Sequence, residues 1–182
     1  MSRLAGIGGI SPGSEGHLVT ALQRTLVVLK PDAVARGLIG RVTQRFEDAG
    51  LKIVAIKMVR LDDELTRRHY FDLEERYGKE IYDANAKAMQ RGPVVAMVIE
   101  GIEAVPNVRR LVGATYPNEA VPGTIRGDFA HHSKAHAVAQ DKGVANLLHA
   151  SGNVDEAKYE IGVYFAPEEL QEYTTLAEAY TF

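Results

Sequence analysis

Two short, unbroken apolar runs, Thr25 to Leu29 (TLVVL) and Val94 to Ile99 (VVAMVI), constrain this chain more than any other feature. Both are rich in β-branched residues and bounded by breakers, Lys30-Pro31-Asp32 after the first and Gly92-Pro93 before the second. Runs of that length and composition predict buried strands rather than helices. Between them, Ile39, Val42, Phe46 and Ala49 recur at helical spacing, and Gly50 supplies a stop. Leu51 to Leu61 reads as a second strand, followed by helical stretches over Asp63 to Tyr77 and Lys79 to Met89. After the third strand, Ile102 to Leu111 reads as a helix and Ala114 to Asp128 as a loop punctuated by Gly and Pro. Asn153 with Glu156 three residues on is a capping pattern for a short helix that feeds a fourth strand, Glu160 to Phe165. This order of elements predicts an α+β fold: a ferredoxin-like split βαβ arrangement, its four-stranded antiparallel sheet covered by helices.

Composition closes off several chemistries. The 182 residues, 46% hydrophobic, suffice for one domain with a real core. A net charge of -3 argues against a nucleic-acid coat or a polybasic membrane anchor, so neither stable nucleic-acid binding nor membrane association is expected. No apolar run approaches the roughly 20 residues that span a bilayer. With no cysteine, thiolate metal sites and cysteine nucleophiles are excluded. Residues 1–22 read as a flexible N-terminal extension and 23–182 as the functional domain, with a cytoplasmic location as the default. The polar, small-residue stretch Ala130 to Gly143 reads as a surface insertion.

Catalytic text concentrates around His149, in the run Val144-Ala-Asn-Leu-Leu-His149-Ala-Ser151-Gly. A neutral imidazole is a good nucleophile near pH 7, and its attack on phosphorus gives a phosphoramidate that can be passed on. Neither a P-loop nor the protein-kinase glycine loop occurs in the chain. Phosphates would then be held by separated cations and loop amides, and Lys30, Arg109 and Arg126 each stand beside a strand end or loop.

From Arg24 to Phe165 the chain resembles the nucleoside diphosphate kinase family. The resemblance is carried by Leu29-Lys30-Pro31-Asp32, by Arg109 ahead of Leu111-Val-Gly-Ala-Thr115, by Pro122-Gly-Thr-Ile-Arg126-Gly-Asp-Phe129, and by the Asn146-to-Ser151 run with Glu160 beyond. It implies transfer of the terminal phosphate of ATP to nucleoside diphosphates through a phosphohistidine at His149, with ping-pong kinetics. It also implies a role for each matching residue. Lys30 reaches phosphates and ribose; Arg109, Thr115 and Arg126 hold phosphate oxygens; Asn146 meets the sugar; Tyr70 lines the site near the histidine. Glu160 orients the imidazole, with Ser151 linking to it or donating to the phosphate. Magnesium is the implied cofactor, held mainly through the nucleotide's own phosphates rather than by protein ligands. A homo-oligomer, hexameric, tetrameric or dimeric, is the implied assembly.

Three positions depart from the family pattern. Gly152 stands where the family usually has aspartate. Arg126 and Asn146 are twenty residues apart, wider than the family's usual spacing, because of the insertion. Where the family stacks a phenylalanine on the base, Ile81 falls, with Tyr82 next to it as the candidate stacker. His131, His132 and His136 form a possible zinc pattern on a helix, but no third-ligand pattern supports it and a solvated loop is the expectation. A silent RNA-binding module of the same fold would show exposed sheet aromatics, and the strands lack them.

Overall fold

A computed structural model describes residues 22–140 and 142–181. Its strands and helices run β1 (Leu22–Leu29), α1 (Pro31–Ala35), α2 (Ile39–Glu47), β2 (Lys52–Val59), α3 (Asp63–His69), α4 (Leu73–Tyr77), α5 (Lys79–Met89) and β3 (Val94–Ile102). Then come α6 (Ala104–Val112), α7 (Ile125–Phe129), α8 (Lys134–Ala139), β4 (Leu148–Ala150), α9 (Val154–Tyr164) and α10 (Leu176–Thr181). The sheet order is β2-β3-β1-β4 and every pairing is antiparallel, the ferredoxin-like arrangement expected. Most of the extension expected over 1–22 lies outside the described residues; Leu22 itself opens β1, opposite Ile102.

The unbroken apolar runs have a simple cause: β1 and β3 are covered on both faces. Val27, Leu29, Val95, Met97 and Ile99 point into one core with Val42 and Phe46 of α2 and Val108 and Val112 of α6. Leu26, Val28, Val94, Ala96 and Val98 point into the other, with Met89 of α5 and Val163 and Tyr164 of α9.

Several boundaries differ from the sequence reading. The fourth strand is Leu148–Ala150, and the expected strand Glu160 to Phe165 is mostly the end of α9. The Asn153 side chain accepts from the Glu156 amide and starts a helix that runs on through those residues. Ala157, Glu160, Val163 and Tyr164 then lie buried at helical spacing. The helix expected over Asp63 to Tyr77 is broken between His69 and Leu73. Ile102 ends β3 instead of starting a helix. The loop over Ala114 to Asp128 contains a 3₁₀ turn at Pro117–Glu119 and the start of α7. The insertion contains α8, whose Ser133 side chain caps the His136 amide and whose Ala137 is buried.

Candidate active site

The site lies where β1 ends beside β4. His149 is opposite Val28, so its side chain emerges on the second face of the sheet, where α9 and the end of α3 pack. There, His149 Nε2 meets Glu160 Oε1 at 2.8 Å. The other carboxylate oxygen of Glu160 accepts from Ser151 Oγ at 2.6 Å. Ser151 is itself held to β1: its Oγ accepts from the Leu26 amide at 3.2 Å, and its own amide donates to the Leu26 carbonyl. Glu160 and Ser151 are buried, while the His149 side chain remains 26% exposed. A buried, doubly bonded carboxylate thus faces one nitrogen of an imidazole that is open to solvent.

Lys30 sits at the mouth of β1 and donates to Asn146 Oδ1 at 2.8 Å. Burial first, and the nearby Arg126 charge second, lower its pKa to about 8, against a smaller opposing effect of Asp32. Asn146 donates through Nδ2 to the Thr115 carbonyl at 2.9 Å. It therefore ties the end of β1 to the loop after α6. Arg126 is buried and spends most of its N–H donors on carbonyls: Nε on Asn146, Nη1 on Gly113 and Ala114, Nη2 on Leu148. Burial and the charge of Arg109 lower its pKa to about 10. Arg109, in the last turn of α6, is exposed and near enough to exert that effect. Thr115 is exposed at the same rim.

Tyr70 reaches the site through its neighbour. Its ring lies 4.5 Å from that of His69, and His69 in turn meets His149 edge-on at 4.8 Å. Burial raises the Tyr70 pKa, so the phenol stays protonated. Tyr82 is buried, with Arg67 over its ring at 5.5 Å and Tyr70 edge-on at 6.5 Å. Ile81 is exposed on the same helix. At Gly152, the amide donates to Glu156 Oε2 at 3.0 Å, and an added Cβ would come within 2.5 Å of that oxygen. A neighbouring glutamate has closed over the position of the missing aspartate. The His131, His132 and His136 rings pack on one another, and no group of three or more His, Cys, Asp or Glu among the described residues could hold a metal.

Three residues of the site had no role in the sequence reading. Asp32 accepts from the Leu147 amide at 3.1 Å and so joins the Lys-Pro-Asp turn to the histidine run. Leu147 has φ of 72°, a left-handed backbone rare for a branched residue, and it is fully buried. It reverses the chain between Asn146 and Leu148, and no sequence signal announces it. His69 is buried against His149, with neither ring nitrogen hydrogen-bonded; burial, then the His149 and Lys30 charges, hold its pKa well below the ordinary value. It is therefore a neutral wall to the catalytic ring. Its position beside Tyr70 in the sequence was the available clue.

Comparison with known proteins agrees with this geometry. The family model described as nucleoside diphosphate kinase matches residues 23–170. A nucleoside diphosphate kinase of Pyrococcus furiosus is 46% identical over 157 residues, covering 86% of this chain and 91% of that protein. Nucleoside diphosphate kinase B of Rattus norvegicus is 40% identical over 161 residues, 88% of this chain and 97% of its own. Among solved structures, the Borrelia burgdorferi nucleoside-diphosphate kinase, a transition state mimic with bound vanadate and ADP, superposes with a TM-score of 0.86. It is 41% identical, covering 88% of this chain and 97% of that one. With the match spanning most of the chain and both kinds of relative agreeing, this chain belongs to the nucleoside diphosphate kinase family and is a phosphotransferase acting on nucleotides.

Proposed function

We propose that the chain moves the terminal phosphate of ATP to nucleoside diphosphates in two half-reactions, with Nδ1 of His149 as the carrier. The Glu160–His149 contact supports this most directly. A carboxylate that accepts the Ser151 proton on one oxygen is an acceptor for the imidazole on the other. Nε2 then carries the hydrogen and Nδ1 keeps its lone pair. In the first half-reaction the Nδ1 lone pair attacks the γ-phosphorus, the bond to the bridging oxygen breaks, and ADP leaves. The imidazole, now phosphorylated on Nδ1 and protonated on Nε2, is cationic, and Glu160 offsets that charge. In the second half-reaction a terminal oxygen of the acceptor diphosphate attacks the same phosphorus and the lone pair returns to Nδ1. Lys30, Arg109 and Arg126 stabilise charge spread over the transferring oxygens. Thr115 and Asn146 would meet phosphate and sugar, and Tyr70 backs the histidine through His69.

Asp32 and Glu160, the carboxylates at the centre, are committed to Leu147 and to His149 and Ser151. This donor set fits a magnesium–nucleotide complex as substrate, the ion bound by phosphate oxygens and its own waters. We take residues 23–182 as the catalytic domain and residues 1–22 as an extension to it. A homo-oligomer is supported by β2, the edge strand of the sheet, where Ile56 and Met58 are 52% and 55% exposed. No helix among the described residues is long and apolar enough to cross a membrane; acting on free nucleotides, the protein is assigned to the cytoplasm.

Incubation with γ-labelled ATP and magnesium tests the mechanism. The expected product is an acid-labile, base-stable phosphoenzyme that a nucleoside diphosphate discharges, absent from His149→Ala. Near-normal turnover in that variant overturns it.

A further inference from the structure

The return arm of the insertion, Gly143 to Ala145, lies on α5. A Cβ placed on Gly143 would come within 3.3 Å of the Ala84 carbonyl and 3.4 Å of the Ala88 Cβ, so arm and helix touch backbone to small side chain. Bulkier residues at these three positions would hold the arm away. The arm is pinned at both ends and loose between them. On one side, the Lys142 amide donates to the Ala137 carbonyl and closes α8, and the segment before it is fixed by the Asn118 amide on the His132 carbonyl. Lys134 also lies over the Tyr116 ring at 5.9 Å. On the other side stands Asn146, buried and bonded to Lys30 and Thr115. Among the described residues, no hydrogen bond ties Gly143, Val144 or Ala145.

We infer that residues 143–145 are a gate over the nucleoside end of the site, closed here by the contact of Gly143 with Ala84 and Ala88. The inference rests on the reading of Asn146 as the sugar-side residue. With phosphates at Lys30 and Arg126 and the sugar at Asn146, the next space outward is the one between the arm and α5. That space is shut at Gly143. His149 stays 26% exposed in the same arrangement, so a small phosphoryl donor reaches it while a nucleoside must displace the arm. Contact dispersion alone holds the gate, which makes it cheap to open. The closed population raises the apparent KM for nucleotides by the inverse of the open fraction.

The chain has no cysteine, so a lock can be placed cleanly. The Cβ separation of 3.4 Å between positions 143 and 88 lies just below the ~3.5–4.5 Å range of disulfides, a gap that a shift of about 0.1 Å closes. The double variant Ala88→Cys, Gly143→Cys is oxidised with glutathione disulfide, and His149 labelling is followed with γ-labelled ATP and with phosphoramidate, a donor without a nucleoside. The expected result is labelling by phosphoramidate in both redox states, but by ATP only after reduction. The single Ala88→Cys protein can only exchange with glutathione disulfide to a mixed disulfide, releasing glutathione; that adduct cannot tie the arm to the helix, so ATP labelling should persist after oxidation. Equal ATP labelling of the oxidised and reduced double variant overturns the gate, as does failure of the disulfide to form. Loss of phosphoramidate labelling on oxidation also overturns it, because the arm would then serve the nucleophile itself. No labelling of wild-type protein by either donor would instead sink the phosphohistidine mechanism. Gly143→Val supplies a second measurement: propping the gate open should lower the nucleotide KM severalfold with phosphoramidate labelling unchanged, and an unaltered KM overturns the inference.

Discussion

At the scale of single residues, the site is a set of groups whose freedom has been removed. His149 is fixed through Nε2 by Glu160, Glu160 by Ser151, and Ser151 by the backbone of β1. Glu160→Ala should leave the imidazole free to turn and to exchange tautomers. Rapid-quench labelling is expected to show phosphoenzyme formation slowed by ~10–100-fold, the usual scale for loss of a ligand-orienting partner; a wild-type burst would contradict that role. Lys30 offers a pH test. Its pKa is lowered to about 8, chiefly by burial, so the free enzyme loses this charge as pH rises through that value. Substrate phosphates favour the charged form, so kcat/KM should decline above about pH 8 while kcat holds to higher pH. Lys30→Ala should lack that limb and run ~10²–10³-fold slower at neutral pH. A profile unchanged in shape would show that the limb belongs to another group.

At the scale of elements, α7 and α9 matter most. The short helix α7 carries Arg126, whose guanidinium gathers the carbonyls of Gly113, Ala114, Asn146 and Leu148. It fits only because residue 127 is glycine: a Cβ there would overlap the Val121 carbonyl, a backbone atom that cannot step aside. Gly127→Ala should cost about 1–3 kcal/mol, the range for overpacking. It should also lower activity beyond the loss of folded protein, because Arg126 moves with its helix. Denaturation midpoints and activity per folded molecule separate the two effects. As for α9, the run Glu160-Ile-Gly-Val-Tyr-Phe165 has the β-branched and aromatic character of a strand. Local propensity lost to context there. The Asn153 cap launches a helix whose inner face is Ala157, Glu160, Val163 and Tyr164. The true fourth strand has only three residues, too few for a hydrophobic period to register.

At the scale of the whole molecule, the chain's last segment is bound back onto the sheet. Lys52 bridges Glu100 and Glu178 at 2.6 and 2.7 Å and donates to the Tyr173 carbonyl, while Tyr173 Oη and the Gln171 amide donate to the carbonyls of Ile53 and Val54. Burial works against the Glu100 charge, but Lys52 and Arg24 still hold its carboxyl below the ordinary range; Lys52 and the Thr175 amide do the same for Glu178. Since both folded pKa values are depressed, their contribution is present above the unfolded carboxylate range and is lost as pH falls through the lowered values. Acid should therefore release the tail before the core unfolds. Protection factors of the amides over residues 171–181, taken against the intrinsic exchange rate at each pH, should fall on acidification and, at neutral pH, in Glu178→Gln; equal protection in that variant and wild type would show that the ion pair does not hold the tail.

What the sequence determined by itself was local or repeated: the strands at Thr25 to Leu29 and Val94 to Ile99, the helix around Val42 and Phe46, the fold class, and the run around His149 matched to Lys30, Arg109, Thr115, Arg126, Asn146 and Glu160. The strands, the helix and the fold class follow from periodicity and short-range spacing, which a single chain displays; the grouping of the site residues with His149 is what the resemblance to the family's motifs implies. What only tertiary structure decided involved residues far apart in sequence meeting under close packing. Among these are the choice of Nε2 as the oriented nitrogen, His69 as a neutral neighbour, and the left-handed Leu147 tied to Asp32. The packing of the Tyr82 ring against Arg67 and Tyr70 is another. The contact of Gly143 with α5 belongs there too, because whether a polar insertion stands in solvent or lies across a cleft depends on which surface its small residues meet.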